Sequence, residues 1–179
     1  MDIAANFRVL ALYNQRMNQQ LIKACETLTD EELHQDRGAF FTSIMAHWNH
    51  ILFGDLIMLQ RLVANQCVDV AEDRLANLPT SKSIHDTFVK DIEHLKSLRS
   101  TVDDIYIDVT RQLTHESCQR LVRYTTTEGV LMERTVAQFC QHIFNHQTHH
   151  RGQLTCLLSQ IGLDFGCTDL PMIVPETVL

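Results

Sequence analysis

MERTVAQFCQHIFNHQTHHRGQLTCLLSQI, residues 132–161, is the stretch of this sequence that decides its fold. Apolar residues recur in it at spacings of three and four, the period of an amphipathic helix, and Gly162 directly after it is a residue type that commonly ends helices. Only Pro79, Pro171 and Pro175 are prolines, so few positions in the chain interrupt a helix. A long helix with one apolar side needs other helices to cover that side.

The same periodicity predicts three further long helices, over residues 3–28, 42–64 and 81–109. Residues 42–64 are apolar nearly all round, which is typical of a helix in the interior of a bundle. Residues 120–129, RLVRYTTTEG, are rich in β-branched and aromatic types and predict a short extended or hairpin segment. We therefore expect an all-α protein, a single four-helix-bundle domain over residues 1–179.

Composition excludes several classes of partner. The formal net charge is −7 and the pI is near 5.7, which leaves no basic surplus to neutralise nucleic-acid phosphates. The N-terminal residues lack a basic segment followed by an apolar one, and no apolar run reaches the roughly 18 residues of a membrane span. We expect a cytoplasmic protein that binds neither nucleic acid nor membrane.

Four of the ten histidines fall within residues 142–150, HIFNHQTHH. At about 100° per residue, His146 and His150 point toward the apolar side of their helix, whereas His142 and His149 point toward a rim or solvent. A single histidine on an apolar side is most often a packed residue that a carbonyl satisfies. Two imidazoles on adjacent turns favour one shared metal ion, because the ion satisfies ring nitrogens of both.

A catalytic type of metal site has three protein ligands and an open position, so a third ligand must come from another helix. The predicted second helix carries three candidates in SIMAHWNHILFGD, residues 43–55: His47, His50 and Asp55. Since this helix is apolar nearly all round, periodicity does not choose among them.

Several segments carry a resemblance to a known family. They are LYNQRMNQQL at 12–21, DRGAFFTSI at 36–44, NHILFGD at 49–55, YTTTEG at 124–129, HIFNHQTHHRGQL at 142–154 and TDL at 168–170. Through them the whole chain resembles the DinB/YfiT family of metal-dependent, DNA damage-inducible proteins. The resemblance implies a four-helix bundle with up-down-down-up order that assembles as a homodimer.

The resemblance also implies a ligand set, with one histidine from the second helix and two from the fourth. By motif position these are His50, His146 and His150. His47 is then a rim residue, an alternate ligand or a partner of a ligand. Asp55 either orients a ligand histidine or belongs to a buried ion pair with Arg151.

Gln153 lies on roughly the same side of its helix as His146, where it would reach a metal-bound water, although a structural hydrogen bond is the commoner role for such a residue. All-nitrogen sites favour zinc or nickel, and iron or manganese also bind them. The resemblance implies a thiol S-transferase, isomerase or hydrolase in which metal-bound water or a low-molecular-weight thiol reacts. The alternative is a non-catalytic metal-binding stress-response protein.

Overall fold

The computed structural model describes residues 2–174. Helices account for most of this part of the chain, and a two-stranded hairpin lies between the last two long helices. The helices are α1 (Ile3–Cys25), α2 (Asp30–His34), α3 (Ile44–Ala64), α4 (Glu72–Ala76), α5 (Ile92–Gln112), α6 (Val136–Gln160) and α7 (Leu170–Ile173). The strands are β1 (Leu121–Thr125) and β2 (Leu131–Thr135), and a 3₁₀ turn covers Ser117–Gln119.

Four long helices pack around one apolar core. Helix α1 lies against α5 and α6, and α3 lies against the same two helices. The core is aliphatic and aromatic, with Phe7, Trp48 and Phe139 among its largest fully buried side chains. Burial on several sides of α3 agrees with its nearly continuous apolar sequence. The up-down-down-up order and the single-domain assignment over 1–179 stay predictions.

Two helix starts differ from the sequence prediction. Helix α5 begins at Ile92 and not at residue 81, because Asp91 caps it and the Asn49 side chain fixes the preceding loop by accepting from the backbone of Phe88 and Val89. Helix α6 begins at Val136 and not at residue 132, because residues 131–135 form a strand. Periodicity alone did not reveal either boundary, since both flanking segments contain apolar residues at helical spacing.

The predicted extended segment is present as one half of a hairpin. Strand β1 pairs antiparallel with β2, so that Leu121 lies opposite Thr135 and Thr125 lies opposite Leu131. Gly129, with φ of 84°, allows the turn between them. Thr135 then caps α6 in a capping box with Gln138, so the hairpin fixes where the histidine-bearing helix begins.

Within residues 2–174, no helix combines the length and the apolar character that crossing a membrane requires.

Candidate metal centre

Three histidines from two helices meet at one point between α3 and α6. His50 comes from α3, and His146 and His150 come from adjacent turns of α6. One ring nitrogen from each lies within 4.8 Å of the others, and the Nε2 atoms of His50 and His150 are 3.0 Å apart. We call these residues the three-histidine cluster.

The cluster is held in the neutral form that metal binding requires. Burial, together with the neighbouring His150 and His50, lowers the pKa of His146 to about 3. Burial together with His150 lowers the pKa of His50 to about 4, and burial also lowers the pKa of His150. Neutral imidazole has a free lone pair, so all three rings are available as ligands at neutral pH.

Gln153 fixes the orientation of one ring. Its Oε1 atom lies 2.7 Å from Nδ1 of His150, and a carbonyl oxygen only accepts, so Nδ1 carries the proton. The lone pair of His150 is therefore on Nε2, the atom that faces His50. Gln153 therefore makes a structural hydrogen bond to a cluster histidine, the role that sequence analysis gave as the commoner of its two alternatives.

Aromatic rings hold His50. The ring of Phe41 stacks on it with centroids 3.8 Å apart and planes 20° apart, and Phe53 lies nearly parallel at 5.9 Å. Phe41 also meets the ring of His150 edge-on at 5.7 Å. These contacts restrict ring rotation, because aromatic stacking fixes both position and angle.

Gly54 lets the two helices approach closely enough for the cluster to form. It lies one turn after His50 on α3, and the ring of His146 packs directly on its backbone. A Cβ atom at position 54 would lie 2.3 Å from Cε1 of His146, well inside van der Waals contact. A glycine inside an apolar helix costs stability, and here it provides the space that His146 occupies.

Asp55 takes part in a buried ion pair and makes no hydrogen bond to a cluster histidine. Its Oδ2 atom accepts from Arg99 of α5, and its Oδ1 atom accepts from Nε2 of Gln147 of α6 at 2.6 Å. Both side chains of the ion pair are 1% exposed. The sequence suggested Arg151 as the partner, but Arg151 reaches Asp55 only through Gln147, to which it donates at 3.0 Å.

The network continues through α5 to α1. Nη2 of Arg99 lies 2.9 Å from Asp103, and the amide of Asn18 donates to both oxygens of that carboxylate. All four long helices contribute to what we call the buried polar network: Asn18, Asp55, Arg99, Asp103, Gln147 and Arg151. It lies directly beside the cluster, because Gln147 follows His146 in α6 and Arg151 follows His150.

The remaining histidines near the cluster are not among the three whose ring nitrogens meet, although the ring of His149 lies edge-on to that of His150 at 4.8 Å. The Nδ1 atom of His47 lies 2.9 Å from the carbonyl of Ser43, one turn earlier, and burial lowers its pKa. His47 is therefore a packed residue next to Phe41, with ring centroids 5.6 Å apart. His142 and His149 are exposed, as their position on the helix predicted.

The three side chains fit a divalent transition metal. A tetrahedral ion with metal–nitrogen bonds near 2.0–2.1 Å holds its ligand atoms about 3.3 Å apart, close to the 3.0 Å between His50 and His150. All three ligand nitrogens lie within 4.8 Å of one another. Nitrogen donors from neutral imidazole suit zinc, nickel, copper and iron.

Known proteins place the chain in a family. The sequence model described as DinB family matches residues 1–175. The chain belongs to the DinB family.

This DinB-family chain is 28% identical to Protein DinB of Bacillus subtilis over 157 residues, which cover 88% of this chain and 87% of that protein. The fold is similar to that of a DinB-like protein from Bacillus cereus, known from a crystal structure. The TM-score is 0.51 and the identity 21%, and the match covers 84% of this chain and 89% of the other.

Sequence reasoning about this DinB-family chain missed Phe41, Gly54, Arg99 and Gln147. Gly54 had a usable signal, since it is an isolated glycine in an apolar helix. Arg99 had none, because α5 is amphipathic with many charged residues and its periodicity does not reveal which one points inward.

We predict that Asp55→Asn lowers the free energy of unfolding by about 3 kcal/mol, because it removes the charge that faces the buried guanidinium of Arg99. Urea unfolding followed by circular dichroism measures the change. Asp104→Asn is the matched control, since Asp104 is an exposed carboxylate of α5, and we expect it to stay within about 0.5 kcal/mol of the parent protein. Equal effects of the two substitutions would contradict the network's role.

Proposed function

We propose that this protein binds one divalent transition-metal ion through His50, His146 and His150. The observation that carries the proposal is the convergence of three neutral imidazoles from two helices at one point. His50 is buried and the other two rings are partly buried, so a ring nitrogen left without a partner there would cost about 1–3 kcal/mol. One ion satisfies all three.

We further propose that the protein is a metal-dependent enzyme, of the thiol S-transferase, isomerase or hydrolase type that the family resemblance implies. His146 and His150 remain partly exposed, and we expect a small molecule to approach the cluster from the α6 side. A divalent ion with neutral ligands supplies Lewis-acid activation of a thiol, a water molecule or a carbonyl. Gln153 holds the ring of His150 and Phe41 holds the ring of His50. In this proposal the two side chains orient ligands and do not react themselves.

The alternative proposal is a non-catalytic metal-binding protein of a stress response. The specific observation in its favour is the cover over His50, which is only 8% exposed and packs against Phe41 and Phe53. A ligand covered in this way suits a structural site as well as a catalytic one. The homodimer stays a prediction under both alternatives.

Zinc and nickel are the metals we favour, and iron and manganese are the next candidates. Nitrogen donors bind nickel and zinc more tightly than iron or manganese, so affinity favours the first pair. The supply of each metal in the cell then decides between them.

We expect protein purified without a histidine tag to contain about one equivalent of transition metal by elemental analysis. His50→Ala, His146→Ala and His150→Ala should each lose it, because two imidazoles hold a divalent ion far more weakly than three. Chelation should lower the melting temperature of the parent protein by several degrees, since an ion at about 100 times its dissociation constant contributes about 2.7 kcal/mol.

His149→Ala is the control, because His149 is exposed and adjacent in sequence to a proposed ligand. It should keep the full equivalent. Metal that survives the loss of His146 or His150, or a metal-free parent protein after incubation with Ni²⁺ and Zn²⁺, would overturn the proposed site.

A second test uses the space that Gly54 provides. We expect Gly54→Ala to weaken Ni²⁺ binding at least tenfold by isothermal titration calorimetry, because the added methyl group displaces the His146 ring. Gly152→Ala is the matched control: it lies on α6 with nothing within 4 Å of the new methyl group. It should leave affinity unchanged and raise helix stability by up to about 1 kcal/mol. Equal Ni²⁺ affinity in the two variants would refute close packing at Gly54.

Enzymatic function is tested with metal-loaded protein and a low-molecular-weight thiol. We expect it to accelerate thiol transfer to an activated aryl halide or thiol-dependent isomerisation, and we expect His150→Ala to abolish the acceleration. Product formation followed by chromatography provides the measurement. If a broad panel of thiols and electrophiles shows no rate above that of the metal-free protein, the non-catalytic alternative is favoured.

A further inference from the structure

The buried polar network and the three-histidine cluster occupy neighbouring positions on the same two helices. On α3, Gly54 contacts the His146 ring and the next residue, Asp55, accepts from Gln147. On α6, His146 and Gln147 are likewise consecutive. Two adjacent residues of one helix therefore contact two adjacent residues of the other, and this arrangement fixes both the rotation and the translation of α6 against α3.

Both ends of the Gln147 amide are held. Its Nε2 atom donates to Oδ1 of Asp55 at 2.6 Å, and its Oε1 atom accepts from Nη1 of Arg151 at 3.0 Å. The side chain is 1% exposed, so water does not replace either contact. Asp55 is in turn fixed by Arg99, and the hydroxyl of Tyr106 donates to its backbone carbonyl at 2.7 Å.

Metal binding is sensitive to the rotation that Gln147 controls. Side-chain atoms at the surface of a helix lie about 6 Å from its axis, so a rotation of about 10° moves them by about 1 Å. Functional sites tolerate displacements of only about 0.5 Å. His146 and His150 lie on the same helix as Gln147, so they move together when α6 turns, while His50 stays on α3.

We infer that Gln147, held by Asp55 and the charges behind it, is a positioning residue that sets the rotation of α6 and thereby directs His146 and His150 toward His50. The inference rests on the metal binding proposed above. It assigns the buried polar network a role beyond stability. An apolar pair at these positions would avoid the desolvation cost of the polar contacts, so stability alone does not account for them.

The test uses Co²⁺, whose visible absorption reports coordination number and geometry, in the parent protein and in Gln147→Met. Methionine has a similar length and fills the same space, but it does not join Asp55 to Arg151. We expect Co²⁺ affinity to fall about 10–100-fold, an effect of the size typical for residues that orient metal ligands, and the absorption band to change in shape and intensity. If Gln147→Met does not fold, Gln147→Asn, which keeps the amide on a shorter side chain, takes its place.

Leu62→Ala is the control for a general loss of stability. Leu62 is fully buried on α3, three turns from His50, so its truncation destabilises the protein without touching the contact between Asp55 and Gln147. We expect its Co²⁺ affinity and spectrum to match those of the parent protein, although its melting temperature falls.

The outcomes separate the two proposals. A parent protein that shows no Co²⁺ band and no affinity overturns metal binding itself, and the inference with it. A parent protein that binds Co²⁺ while Gln147→Met has the same affinity and spectrum overturns only the positioning role. Equal changes in Leu62→Ala and Gln147→Met also overturn it, because they would reflect general loosening of the helices.

Discussion

The close contact between α3 and α6 at Gly54 is the constraint on which the site depends. The ring of His146 fits between the two helices because Gly54, one turn after His50, has no side chain. Any other residue type would place a Cβ atom against the ring of His146. The glycine weakens its own helix, and the extensive burial of α3 in the apolar core offsets that cost.

The buried charges beside this contact have two consequences. Asp55, Arg99 and Asp103 carry charges into the centre of the bundle, where unpaired charges are strongly destabilising. Pairing them requires that α3 and α5 keep one relative position, because the geometry of a guanidinium with two carboxylates is restrictive. The apolar core supplies most of the stability, and the charges restrict which arrangement of the helices is compatible with it.

Burial also gives the histidines their chemical state. The same desolvation that makes a charged carboxylate costly lowers the pKa of His50 and His146, which keeps both rings neutral. Neutral rings bind metal, whereas protonated rings do not. The apolar surroundings, with Phe41 stacked on His50, thus prepare the site for a cation although they contribute no ligand.

The local sequence determined which side chains share one side of a single helix. The spacing of His146 and His150 and the apolar residues around them define one side of α6, because side-chain direction repeats every 3.6 residues. Family resemblance then selected His50, which periodicity on the apolar helix α3 left level with His47 and Asp55. Only the tertiary structure showed that the His47 ring hydrogen-bonds to the backbone carbonyl of Ser43, one turn earlier, and that Asp55 forms an ion pair with Arg99. Contacts of this kind depend on how helices distant in sequence rotate and translate against one another, which no local period encodes.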